Sequence, residues 1–379
     1  MAQIPRFLNS VVVFDADVAP GKGEQASSIL PALVTQKRPN NLFRYVYAVM
    51  ISCTFTPTYG GGQAAALVAK KMWQLVSKFY LKIKGIDTPL FRDLGSLDII
   101  RIAQQGLRAI DPDVLSEYIP VTDLAAAQTG VEQEVHYLFP IAPRYTKGGE
   151  NEAQKFLGLL PLSAFAEADM KFTPVADDEL QADWTIGDIG FRVRLLLTDQ
   201  NKAIPIIPCF WRGSDLTGSD VIAPKGTNDA RVLFLAACAT DDTDFVPPTD
   251  YSCNIGSKVV LPNRHAADQI QELTLFRKET YNDSPFPVMQ PILTDDGAGV
   301  DELPIADGPV TLNGIFSGQA NSGRIIMLYA EQLSEAAQIQ LQVAHDIDKD
   351  VATANVQRIT AETNSDNRAL VTTTIARAS

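Results

Sequence analysis

The chain has 379 residues, 46% hydrophobic and 20% charged, and its 32 Lys/Arg against 45 Asp/Glu give a net charge of −13. At about 150 residues per domain this length excludes one small domain and predicts two or three. Ordinary apolar content excludes a chain disordered throughout, and the acidic balance excludes a coat that binds nucleic acid by neutralising phosphates.

Residues 1–40 hold Pro5, Pro20, Gly21, Gly23, Pro31 and Pro39 around a short apolar run at 11–14. Proline and glycine at this density predict an extended arm. Residues 1–10 lack the continuous apolar run of a secretory signal, so the mature chain is expected to start there. The clearest periodic segment follows: Tyr45, Tyr47, Val49, Ile51, Cys53 and Phe55 alternate with polar residues such as Ser52 and Thr54, a period of two that predicts a strand. Pro57 and Gly60 to Gly62 end it, and the Ala- and Leu-rich stretch 64–76 predicts a short helix. Alternation resumes with Phe79, Leu81 and Ile83 inward and Lys78, Tyr80, Lys82 and Lys84 outward. Further strands are expected at 97–102, 131–139, 156–162 and 170–172, and then at Phe191, Val193, Leu195 and Leu197, which alternate with Arg192 and Arg194.

After residue 200 the pattern begins again, with strands expected at 204–211, 232–239, 259–261, 273–276, 311–316, 324–330 and 370–375. Residues 266–278 fit a helix equally well. Ile339, Leu341 and Val343 alternate with Gln338, Gln340 and Gln342, which predicts one more strand. No stretch reaches the roughly 18 apolar residues of a membrane-spanning helix. Long connections at 106–130, 213–229, 241–257 and 282–309 suit binding or packing between neighbours.

Few residues carry chemistry. His136, His265 and His345 lack metal-site spacing, and there is no nucleophile elbow, phosphate loop or CxxC pair, so neither a catalytic residue nor a cofactor is expected. Cys53 and Cys238 lie in apolar runs and are expected to be buried free thiols. Asp241, Asp242, Asp244 and Asp250 could supply oxygen ligands to calcium, as could Asp295, Asp296, Asp301 and Glu302, without the spacing of an EF-hand. Solvated acidic loops are the plainer reading. Charge is uneven: residues 1–108 carry 13 Lys/Arg and 6 Asp/Glu, the remainder 19 and 39. This predicts a basic pole that meets a membrane or an acidic partner, with Arg6, Lys22, Lys37, Arg38 and Arg44 as its residues.

The order of these strands resembles the double jelly-roll major capsid proteins of tailless icosahedral, membrane-containing bacteriophages. The resemblance is carried by RPNNLFRYVYAVMISCTFTP (38–57) as the first barrel strand and its entry, KFYLKIKG (78–85), VEQEVHYLFPIAP (131–143), FLGLLPLSAF (156–165) and FRVRLLLTDQ (191–200), which would close the first barrel. It implies an all-β fold of two tandem eight-stranded jelly-roll β-sandwiches with long loops and a few short helices, divided into an arm (1–40), a first jelly roll (41–200) and a second (201–379). It also implies a structural, non-enzymatic protein of the virion. Its homotrimers would be pseudo-hexagonal capsomers that tile an icosahedral shell over an internal membrane. They would be assembled in the host cytoplasm, touching neighbouring capsomers and minor capsid and vertex proteins but no nucleic acid directly. The alternatives are a spike or adhesin that binds a receptor or glycan, and a carbohydrate-active enzyme.

Overall fold

The computed structural model describes residues 9–30, 44–61, 74–96, 98–99, 129–141, 159–175, 183–198, 208–217, 219–223, 230–239, 250–255, 258–265, 288–289, 303–304, 310–315, 322–331 and 333–350. The first half contains β1 (Asn9–Val18), β2 (Gln25–Ser28), β3 (Tyr45–Phe55), β4 (Pro57–Tyr59), β5 (Val76–Lys82), β6 (Phe91–Leu94), β7 (Gln133–Pro140), β8 (Leu160–Pro161), β9 (Asp169–Pro174), β10 (Trp184–Ile186) and β11 (Ile189–Thr198). The second contains β12 (Cys209–Thr217), β13 (Ser219–Ala223), β14 (Ala230–Ala239), β15 (Asp250–Ile255), β16 (Lys258–His265), β17 (Val288–Met289), β18 (Leu303–Pro304), β19 (Val310–Ile315) and β20 (Ser322–Glu331). A helix, α1, covers 335–350.

In the first half one sheet runs β1-β11-β3-β7, while β6-β5-β9-β2 lie side by side in another. Setting aside the short β4, β8 and β10, the eight principal strands taken in chain order therefore stand as 1-8-3-6 and 2-7-4-5. The second half repeats this order, with β12-β20-β14 and then β17 in one sheet, where β18 also pairs with β14, and β13-β19-β15-β16 in the other. Each half is an eight-stranded jelly roll, and the chain is two of them in tandem.

The first core follows from the alternation. Val49, Ile51 and Cys53 on β3 and Phe191, Val193, Leu195 and Leu197 on β11 are fully buried, as are Phe79 and Leu81 on β5. Rings bridge the sheets, Phe79 on Phe139 at 4.7 Å and Phe172 on Phe191 at 4.8 Å. Each such side chain contributes about 1.5–3 kcal/mol by leaving water.

Four expectations are corrected. Residues 1–40 are not wholly an arm: β1 pairs antiparallel with β11 and β2 with β9, so both are strands of the first jelly roll, and the segment at 45–55 is its third strand, not its first. Hydrogen bonding to strands far along the chain outweighs the local Pro and Gly signals. Ser96, Asp98 and Ile99, expected in or beside a strand, are helical. Residues 338–343 belong to α1: Ala337, Leu341, Ala344, His345 and Asp348 are buried, whereas Ile339, Val343 and Ile347 are half exposed. The buried spacing of four, three and four is the helical one. Gln74, Leu75 and Val76, placed at the end of a helix, are a turn, a bend and the start of β5; residues 64–73 of that helix, the strands at 273–276 and 370–375 and the lobe boundary at 200/201 lie outside the described residues.

Candidate functional surfaces

The two lobes meet along a built junction. β6, strand five of lobe one, pairs in parallel with β12, strand one of lobe two, at Phe91 with Trp211 and Arg92 with Arg212, which makes one sheet continuous across both lobes. Trp211 donates its backbone N–H to Leu90 O at 2.8 Å and its indole N–H to Pro140 O at 2.6 Å, and is 1% exposed. A buried indole costs little once its one donor is satisfied.

Arg324 anchors the same junction. It stands on β20 opposite Asp215 of β12 and donates Nη1 to that carboxylate at 3.0 Å. Nη2 reaches across to Asp98 of lobe one at 2.7 Å, and Nε to the same carboxylate at 3.2 Å. Nη2 also donates to the carbonyl of Asp93, a residue held at φ 54° in the left-handed region. Asp98 in turn accepts Gly95 N–H at 2.8 Å. Burial opposes the charge of Arg324, but Asp98 and then Asp215 outweigh it and hold its pKa above the ordinary value. Gly213 makes the approach possible, because a Cβ there would collide with the Arg324 guanidinium and the Asp93 carbonyl.

A second clasp returns the chain from lobe two to lobe one. α1 follows β20 and inserts Asp348 beside Arg44, the residue before β3; both are buried. Arg44 donates Nε to Asp348 Oδ1 at 2.7 Å and Nη2 to the same oxygen. Ser163 supplies its N–H and its hydroxyl to Asp348, each at 2.8 Å. Burial lifts the Asp348 carboxyl above its ordinary value, while Arg44 and Ser163 pull it back. One turn earlier, Tyr45 OH and His345 Nδ1 share a hydrogen bond of 2.8 Å; burial, with Asp348 and Asp346, pushes the phenol up to about 12.

The outer face of the β1-β11-β3-β7 sheet is different. It forms an open groove of about 470 Å³ lined by Asp15, Asp17, Glu132, Glu134 and Asp188 together with Arg192 and Arg194. Arg192 reaches Asp15 at 3.0 Å through Nε and Nη2, and both side chains are more than half exposed. Arg194 donates Nη2 to Ser52 Oγ at 3.0 Å, and His136 Nδ1 lies 2.9 Å from the same hydroxyl. Burial lowers the His136 pKa, Glu134 opposes this and Arg194 adds to it.

Of the residues expected to matter, Lys22 is exposed between β1 and β2. Arg44 is not: its charge is consumed by Asp348, so it is removed from the basic pole. Arg6, Lys37, Arg38, Asp241, Asp242, Asp244, Asp295, Asp296 and Asp301 lie outside the described residues, as does Glu302. Asp250 opens β15 in register with His265 and Ile315. Among the described residues no group of three or more His, Cys, Asp or Glu could hold a metal ion. Cys53 is a buried free thiol whose pKa burial raises, and the side chain of Cys238 is not described. Asp98 and Arg324 are signalled in the sequence only as a charge set beside apolar runs, and Asp348, among Asp346, Lys349 and Asp350, carries no such signal.

No family model matches the sequence, and no curated protein matches it. Solved structures share the fold. The STIV MCP is 10% identical with a TM-score of 0.56, over 88% of this chain and 99% of its own. A chain from the atomic structure of Sulfolobus Turreted Icosahedral Virus is 11% identical at 0.56, over 93% and 99%. A chain of the PBCV-1 virus capsid is 10% identical at 0.53, over 86% and 93%.

Proposed function

We propose that the chain is a viral major capsid protein, structural rather than catalytic, that works as a homotrimer. The observation that carries this reading is the repetition of one strand order in two lobes locked side by side by β6–β12, Arg324 and α1. Two like lobes per chain give six per trimer, a pseudo-hexagonal block able to tile an icosahedral shell. Lobe one then extends to residue 200, with β1 and β2 counted in it, and lobe two covers 201–379. The partners are neighbouring capsomers and minor capsid and vertex proteins, in a virion assembled in the host cytoplasm. An acidic coat suits a shell whose inner membrane separates it from the genome, with Arg6, Lys22, Lys37 and Arg38 toward the anionic headgroups.

Mass photometry and negative-stain imaging of the purified full chain test the reading. Three-chain particles of hexagonal outline are expected; a persistent monomer would overturn it. For the membrane role, changing Arg6, Lys22, Lys37 and Arg38 to Glu is expected to abolish flotation with anionic vesicles, and unchanged flotation would remove that role.

A further inference from the structure

The junction inside the chain carries a template for the contact between chains. Because the lobes have the same strand order, the pair made by strand five of lobe one and strand one of lobe two corresponds in order to strand five of lobe two, β16, and strand one of lobe one, β1. Both strands end their sheets, and among the described residues no strand pairs with the outer edge of either.

The equivalence extends to side chains. Arg324 faces Asp215 across strands eight and one of lobe two; Arg192 faces Asp15 across strands eight and one of lobe one. In lobe two the arginine of this pair is only 11% exposed and reaches on into lobe one, although Asp215 itself stays open to solvent. In lobe one the corresponding pair is exposed and lines the charged groove. The face that lobe two buries on lobe one with Trp211 and Ile326, each 1% exposed, is therefore the face that lobe one leaves open.

We propose that the groove on the outer face of the β1-β11-β3-β7 sheet is the seat for lobe two of a neighbouring copy, with β1 running beside the neighbour's β16. The inference rests on the homotrimer proposed above and assigns its contact. Charge agrees with it: the groove has five carboxylates against two guanidiniums, whereas β16 carries Lys258, Arg264 and His265 and no acidic residue. A polar, exposed contact also suits subunits that fold before they meet, in contrast to the junction within one chain, whose Arg324–Asp98 and Arg44–Asp348 ion pairs are buried. Such a head-to-tail contact, joining different surfaces of the two partners, closes into a ring when its rotation is a third of a turn.

Charge reversal of the full chain, followed by mass photometry across a dilution series, tests this. Asp17→Lys together with Glu132→Lys is expected to weaken trimers by about tenfold or more, and adding Lys258→Glu and Arg264→Glu in the same chain is expected to restore them. Lys171→Glu, on the opposite sheet, serves as the control and is expected to leave trimers intact. Thermal melts of each variant separate lost contact from lost fold. Trimers that form in the wild type but ignore the groove reversals, or that the compensating changes fail to restore in variants that melt normally, would overturn this contact and leave the capsid reading standing. A wild type that stays monomeric would overturn both.

Discussion

Replacing Arg324 by Ala strands a carboxylate in the junction. Asp98 has a side chain 4% exposed, and Arg324, itself 11% exposed, is its ion-pair partner from the other lobe. Removing one partner of a buried pair typically costs about 3–5 kcal/mol, because the remaining charge keeps its desolvation penalty without its Coulombic gain. The exposed Lys84–Glu167 pair gives the comparison: its side chains are 61% and 52% exposed, and such pairs contribute about 0–1 kcal/mol. Urea unfolding at pH 7 should therefore show Arg324→Ala with a midpoint far below wild type and Lys84→Ala close to it. The double change Asp98→Asn, Arg324→Met should recover much of the loss, since it leaves no buried charge unpaired and Asp215, 75% exposed, stays solvated. Equal midpoints for Arg324→Ala and Lys84→Ala would refute the claim that this ion pair fastens the lobes.

Leu341→Ala should cost about 2–5 kcal/mol in a chemical melt, while Val343→Ala stays within about 0.5 kcal/mol, because in a helix only the first is buried; equal costs would mean that both share one face of a strand. Ile51→Asp buries an unpaired carboxylate and should prevent soluble expression, whereas Ser52→Asp, also buried but beside Arg194, gains a cationic partner and should still fold; similar yields would mean that Arg194 does not offset the charge. His136 should make the fold acid-sensitive. Its folded pKa is lowered, so below the unfolded value near 6.5 the unfolded chain binds the proton more readily and stability falls with pH toward the folded value. His136→Gln should flatten the melting temperature between pH 7.5 and pH 5.5, and an unchanged slope would count against burial as the cause.

The strands that a sequence reading finds are those with strong local alternation. β5 and β11 show it plainly, Phe79 and Leu81 against Lys78 and Tyr80, Phe191 and Val193 against Arg192 and Arg194, because one face is core and the other water. β1 was hidden because its evidence is a partner strand some 180 positions away, while the local Pro and Gly signals speak against regular structure. α1 was misread because Gln and apolar residues alternate through 338–343; Ala337, Ala344 and Asp348 complete the helical stripe, but an Asp on a buried face reads as polar until Arg44 is seen beside it. The junction was illegible for the same reason. Asp98 and Arg324 are 226 positions apart, and neither has a local pattern that names the other. The charged groove gathers Asp15, Glu134 and the neighbouring Asp188 and Arg192 from three segments, and only the sheet order places them together.

The most direct measurement is a cryo-electron microscopy map of the purified full-length protein at a resolution that separates strands. Three copies should surround a threefold axis, presenting six upright jelly rolls of alternating type. A map of lone chains, or of a complex whose lobes do not alternate around one axis, would contradict the account.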